Sequence, residues 1–309
     1  MLIAGPTAVG KSEVALLLAQ RIGAELISVD SMQVYRGLDI GTAKPSLAER
    51  ERVPHHLIDI IGLKEAFDAA QFVRQAEHAM REVQNRGRVP VLCGGTGLYF
   101  KALLEGLGEA PPANPPVRKE LEDTPLTVLL RELAERDPAT FERIDRQNPR
   151  RVIRALEVIR LTGKPFSAQR TPRQTTLARA MPLFFGLSRA ATDLHGRIEA
   201  RVDEMFQRGL VSETEQLLPR GLAGNPTALQ ALGYRQAVEF LHGERSLPDT
   251  IALVKVRTRQ YAKRQMTWFR RQAQLHWIEL QPDVRAEDVA TRLAEAYEQV
   301  QAVRGNEGR

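Results

Sequence analysis

Apolar positions along the chain fall into two alternating periods. Short continuous apolar runs at Met1–Ala4, Glu25–Val29 and Val89–Leu92 predict buried strands, and His56–Ile61 predicts a further one. Between them the spacing turns helical. Val14, Leu17, Leu18 and Ile22 share one face of Lys11–Ile22, with Gly23 as C-terminal cap; Phe72, Ala76, Met80 and Val83 share one face of Ala69–Arg86, closed by Gly87. Strand–helix alternation of this kind implies a parallel sheet with helices on both faces. At Ala110–Pro116 the pattern breaks, with four prolines in seven residues. From Leu126 to Gly163 it is helical and arginine-rich. Within it Ile144, Val152, Ile153, Leu156 and Ile159 form a core face and the arginines of Arg143–Arg160 point outward. Pro182–Leu187 returns to a buried strand. Helices are expected at Thr192–Arg208, Val211–Leu218, Tyr234–His242, Leu247–Phe269 and Arg285–Val303, a last strand at His276–Leu280, and a frayed tail at Gly305–Arg309. The expected organisation is an α/β core of residues 1–111 and 181–309, interrupted by a helical domain at 112–180.

Composition narrows the class. Of 309 residues, 43% are hydrophobic and 27% charged, as in a globular protein with a real core. No apolar run reaches the roughly 20 residues that span a bilayer, and Met1–Ala4 leads straight into a glycine motif instead of a signal or transit peptide. The expectation is a cytoplasmic protein. A net charge of +6 permits an anionic partner without requiring one. The single cysteine, Cys93, excludes an internal disulfide and a multi-cysteine zinc site. His55 and His56 lack partners at metal-ligand spacing and read as loop residues.

The sharpest chemical signal is Gly5-Pro6-Thr7-Ala8-Val9-Gly10-Lys11-Ser12, with a strand before it and a helix after it. This is the P-loop pattern. Its glycines let backbone N–H groups turn onto a phosphate, Lys11 adds charge, and Ser12 can hold Mg²⁺. It makes the α/β core a P-loop NTPase-like parallel sheet flanked by helices. An NTP hydrolase should also carry a metal-organising acid at the end of a second strand. Here Val89–Leu92 runs into Cys93-Gly94-Gly95-Thr96, and the available acid is Asp30, at the end of another strand. A cradle, one acid at Asp30 and one hydroxyl at Thr96 suit transfer from a phosphorylated donor to a nucleophile that Asp30 deprotonates. They suit a small-molecule kinase almost as well, and a non-enzymatic RNA-binding protein retaining the motif is a third reading. The plainer role for Asp30 is a turn cap. Arg257, Tyr261, Arg264, Trp268 and Arg271 fall near one helical face, readable as an RNA surface or as core with solvated arginines.

Five segments then occur in order: Gly5–Ser12, Asp30–Arg36, Asp39–Pro45, Pro54–Asp59 and Gly94–Tyr99. With Arg150–Glu157, Ala231–Tyr234, Tyr261–Gln265 and Thr267–Arg270, the chain resembles the tRNA dimethylallyltransferases over nearly its whole length. The resemblance implies transfer of a dimethylallyl group from dimethylallyl diphosphate to N6 of adenosine 37, beside the anticodon, in tRNAs reading codons that begin with U. The products are N6-dimethylallyladenosine and pyrophosphate. It implies Lys11 and the loop backbone on the diphosphate with Mg²⁺ on Ser12, Asp30 as general base, and Thr96 where nucleophile and leaving oxygen meet. Arg197 or Arg201 would hold pyrophosphate. Asp30, Ser31, Met32, Gln33, Thr96, Arg118, Arg150, Arg151, Arg154, Ala155, Leu156, Glu157 and Val158 would contact the anticodon stem-loop. The lone cysteine and the short C-terminal extension match the bacterial type, expected to act as a monomer, and not the eukaryotic members that append a zinc finger. The related isopentenyltransferases that use free adenine nucleotides typically have a reduced insertion, and the arginine-rich insertion here argues against that alternative.

Overall fold

The computed structural model describes residues 1–108, 110–169 and 183–307. Pro182, the expected start of the fifth strand, lies outside the described residues, as do residues 170–180 of the expected insertion and Gly308 and Arg309. The chain forms two compact units, one from Met1–Ala102 with Arg179–Arg309 and one from Leu103–Ala178.

The first unit is built on a six-stranded sheet in the order β3-β2-β4-β1-β5-β6, with all pairs parallel. Its strands are Leu2–Ala4 (β1), Ala24–Val29 (β2), His55–His56 (β3), Val89–Gly94 (β4), Phe184–Arg189 (β5) and His276–Leu280 (β6). The three residues of β1 are fully buried between two neighbours, with Leu2 opposite both Leu92 and Phe184. That is why its sequence is continuously apolar instead of alternating. The chain leaves β1 toward β2 on one side and later returns to β5 on the other, which opens a crevice at the carboxyl end of β1.

Helices Lys11–Ile22 (α1), Leu47–Arg52 (α2), Ala69–Asn85 (α3) and Gly97–Glu105 (α4) follow the early strands. In α3, Asp68 and Gln71 form a capping box, and the buried face carries Phe72, Ala76, Met80 and Val83 as the spacing predicts. The third strand is shorter than expected. Leu57 and Asp59 adopt left-handed backbone (φ 61° and 57°), which ends extended pairing after His56. His55 Nδ1 pairs with the Val53 carbonyl and His56 Nε2 with Glu25, so both histidines are structural. Buried Glu25 also takes two bonds from Arg86, which holds its carboxyl below the usual range.

The second unit contains Pro115–Glu122 (α5), Leu126–Arg136 (α6), Pro138–Arg143 (α7) and Pro149–Thr162 (α8). Leu121, Leu129, Leu133, Val152, Leu156 and Ile159 close its core. Four of the residues expected to contact tRNA lie inside this unit. Ala155, Leu156, Glu157 and Val158 are fully buried; four consecutive residues run almost round a helical turn, so α8 is enclosed on all sides at this level. Glu157 accepts from Arg118, Arg154 and the Asn114 N–H, and Arg154 also donates to the Pro111 carbonyl. Arg150 and Arg151 are exposed.

Returning to the first unit, Ala191–Gln207 (α9), Leu210–Leu217 (α10), Tyr234–Leu241 (α11), Leu247–Gln272 (α12) and Ala286–Glu307 (α13) complete it. The last helix runs through Glu307, past the expected end at Val303. Among the described residues no helix is long and apolar enough to cross a membrane.

Removing the buried carboxylate with Glu157→Ala is expected to cost the second unit about 2 kcal/mol, the scale of hydrogen bonds to charged groups. Hydrogen exchange of the α8 amides should register that loss. Arg150→Ala with Arg151→Ala should leave the same amides within about 0.5 kcal/mol of wild type.

Candidate active site

The loop between β1 and α1 has a demanding backbone. Gly5 approaches the neighbouring strand so closely that a Cβ would lie 2.6 Å from the Leu187 carbonyl oxygen, and Ala8 and Gly10 both take positive φ (63° and 105°). Two cations hold the carbonyls of the turn. Arg197 Nε donates to Ala8 O and Arg189 Nε to Val9 O, each at 3.0 Å. With these carbonyls engaged, the intervening N–H groups are free to converge as an anion nest. Lys11 Nζ donates to Pro6 O at 2.6 Å.

A cavity of about 720 Å³ opens at the carboxyl ends of β1, β2 and β4. Thr7, Lys11 and Ser12 line it from the loop, Asp30, Ser31, Met32 and Gln33 from the end of β2, and Cys93, Gly94 and Gly95 from the end of β4. Arg201 lines it and Arg197 does not, which separates the two arginines that sequence spacing left equivalent. Arg257, Tyr261 and Arg264 of α12 form another wall, with the Arg264 guanidinium 5.8 Å from the Tyr261 ring centre. Trp268 packs instead against Gly97 and Phe269, and Arg271 is exposed, so that helical face divides between cavity and packing.

The acids are few. Asp30 and Glu239 are the carboxylates in the lining, and Glu239 is paired with Arg235 and Arg245. Asp30 caps its own turn through Oδ1, accepting from Met32 N–H (2.8 Å) and Gln33 N–H (3.3 Å). Its Oδ2 has no hydrogen-bond partner among the described residues. The turn-cap and cavity-facing roles therefore coexist in one side chain. Thr96 is not in the lining; its Oγ1 accepts from the Ser31 N–H at 3.1 Å and ties the β4 turn to the β2 turn. Gln33 is held by Ser28 Oγ–H and by the carbonyls of Thr42 and Ala43.

Several determinants had no assigned role in the sequence. Arg189 ends β5 and is braced by Asp193. Glu213 of α10 accepts from the backbone N–H groups of Asp39 and Ile40 and from Tyr234 Oη, which itself accepts from Gly41 N–H. A Cβ on Gly41 would meet the Tyr234 ring at 2.4 Å, which is why glycine stands there. Gln265, at a buried position of α12, bridges Thr7 and Gly95. Its signals in the sequence were its place in the Tyr261–Gln265 segment and its helical spacing from Ala262 and Phe269, neither of which gives it a role.

Burial, aided by the nearby Arg201 charge, pulls Lys11 down to about 8, against the opposing pull of Cys93 and Asp30; burial pushes the Cys93 thiol up to about 11. A neutral Lys11 must take up a proton when an anion binds. The part of pyrophosphate affinity that Lys11 contributes should therefore be full below pH 8 and fall by up to tenfold per unit above it. Calorimetry in buffers of different ionisation enthalpy should register proton uptake above pH 8, and Lys11→Met should abolish that part of the dependence.

A family model described as IPP transferase matches residues 33–272. The tRNA dimethylallyltransferase of Halorhodospira halophila is 50% identical over 277 residues, covering 87% of this chain and 89% of its own. That of Pelotomaculum thermopropionicum is 41% identical over 97% of this chain and 96% of its own. Among solved structures, the tRNA isopentenylpyrophosphate transferase of Bacillus halodurans aligns with a TM-score of 0.72 at 38% identity, covering 100% of this chain and 98% of its own. A eukaryotic dimethylallyltransferase acting on tRNA aligns with a TM-score of 0.77 at 28% identity, covering 99% and 78%. With a cradle at the end of β1, an acid at the end of β2 and relatives of this identity along almost its full length, the chain belongs to the IPP transferase family of tRNA dimethylallyltransferases.

Proposed function

We propose that the protein transfers the dimethylallyl group of dimethylallyl diphosphate to N6 of adenosine 37 in tRNAs reading codons that begin with U. The observation that carries this reading is the placement of Asp30 in one cavity with Lys11, Ser12 and Arg201, while β4 ends in Cys93 and Gly94 without a carboxylate. A phosphate cradle with one unpaired acid suits a diphosphate donor and an acceptor that must lose a proton. The names of the relatives speak for tRNA as acceptor over a free nucleotide.

In the reaction, the C–O bond between the allyl carbon and the diphosphate breaks as the N6–C bond forms. Negative charge accumulates on pyrophosphate, where Lys11, Arg201 and the loop N–H groups stabilise it. The N6 lone pair is delocalised into the adenine ring, so Asp30 removes the N6 proton as attack proceeds. Thr96 acts on the acceptor side by fixing the Ser31 backbone, and Arg197 by fixing the loop. The adenine must leave its stack to enter the cavity; Met32 and Tyr261 supply surface against it. The donor set fits Mg²⁺: one hydroxyl, Ser12 Oγ, with diphosphate oxygens and waters makes the oxygen-only shell that this ion prefers. There Mg²⁺ would neutralise diphosphate charge.

In the second unit we assign the tRNA contact to exposed Arg150 and Arg151. The charge pairing of Arg118 and Arg154 with Glu157 leaves them chiefly structural.

Two measurements test the reading. In single-turnover transfer with both substrates saturating, Asp30→Asn should lower the rate by about 10²–10⁴-fold while direct binding of tRNA and donor stays near wild type. Near-normal transfer would reduce Asp30 to its turn cap. Arg150→Ala with Arg151→Ala should weaken tRNA binding and flatten its salt dependence by about 0.7–0.9 in log–log slope for each lost phosphate contact. Pyrophosphate affinity should not change.

A further inference from the structure

The loop N–H groups are the recognition elements of the cradle, and one of them is already occupied. Thr7 N–H donates to Gln265 Oε1 at 2.9 Å, across 258 residues of sequence. The other end of the same amide, Nε2, donates to the Gly95 carbonyl at 2.9 Å. Gln265 is 8% exposed, and its orientation is fixed at both ends: the Thr7 N–H requires an oxygen and the Gly95 carbonyl requires an N–H. It cannot flip to offer its donor to a phosphate without breaking two buried bonds.

The turn after β4 is shaped around this side chain. A Cβ on Gly95 would lie 2.3 Å from Gln265 Nε2, so the absence of a side chain at Gly95 is what admits the amide. This is also the strand end where an NTP hydrolase would carry its metal-organising acid. That strand end carries no carboxylate, and the loop N–H beside it, that of Thr7, is already bonded. What stands there is a buried carbonyl dipole with its negative end at the cradle.

Resting on the reading of the donor as a diphosphate ester, we infer that Gln265 is a specificity-determining residue that sets the length of the phosphate chain. It withdraws Thr7 N–H from the cradle, so a diphosphate finds its donors on the rest of the loop, Lys11 and Arg201, whereas a third phosphate meets the Gln265 oxygen and gains nothing.

The test is equilibrium binding of inorganic pyrophosphate and inorganic tripolyphosphate, each with saturating Mg²⁺, to the full chain. Wild type should prefer pyrophosphate. Gln265→Met, which keeps the volume and removes the acceptor, should reduce that preference by about tenfold, the worth of one charge-assisted hydrogen bond. Pyrophosphate affinity should move less than threefold. Gln265→Ala provides the same comparison with a smaller side chain. If both ligands weaken in parallel and the ratio stays constant, Gln265 merely packs the two turns together and the inference is overturned. It is overturned equally if wild type binds tripolyphosphate as tightly as pyrophosphate, a result that needs no variant to fold. Prenyl transfer from dimethylallyl diphosphate to tRNA is assayed separately on wild type. Its failure would remove the proposed function without altering the ratio.

Discussion

Several backbone N–H dipoles aimed at one point repel one another until an anion arrives, so a phosphate cradle must be held in shape from outside. Here the holding is done through two carbonyls on the reverse of those N–H groups and through one N–H of the loop itself. Arg189 and Arg197 take Val9 O and Ala8 O, and Gln265 fixes Thr7. The left-handed backbone at Ala8 is costly for a residue with a Cβ and persists because its surroundings over-determine it. The sheet supplies the rest: β1 is locked between β4 and β5, and Gly5 packs directly against Leu187 O.

The electrostatics follow from that confinement. Lys11 and Arg201 are both desolvated, and burial lowers the proton affinity of each. A polyanion entering the cavity favours the charged forms that burial penalises. Asp30 serves two ends at once. One oxygen terminates the β2 turn through two N–H groups, while the other has no hydrogen-bond partner among the described residues and the side chain lines the cavity.

Local chemistry was legible in the sequence and long-range chemistry was not. The eight loop residues, the face of α3 and the bounds of β6 can all be read from neighbours a few positions apart, because glycine, caps and periodicity act at that range. The third strand was overextended because nothing in His56–Ile61 announces left-handed backbone at Leu57 and Asp59. Arg197 and Arg201 lie one turn apart on α9, a spacing that places both near one face and hides which of them reaches the cavity. Ala155, Leu156, Glu157 and Val158 carry the resemblance as strongly as the arginines beside them, yet they are fixed by the core of the second unit. Arg189, Glu213 and Gln265 act on backbone between 170 and 258 residues away, and no window of sequence contains both partners.

Those separations have a consequence for how the molecule comes into being. Synthesis runs from the N-terminus, so the cradle is made before the elements that brace it. Yet β1 gains its second neighbour only with β5, the turn gains its outer braces only with Arg189 and Arg197, and Thr7 gains its partner only with Gln265. For most of translation the nascent chain carries a phosphate loop with no means of holding its shape. The residues of the cradle are thus in place long before its last brace, and a chain truncated before α12 would lack that brace although every residue of the loop is present.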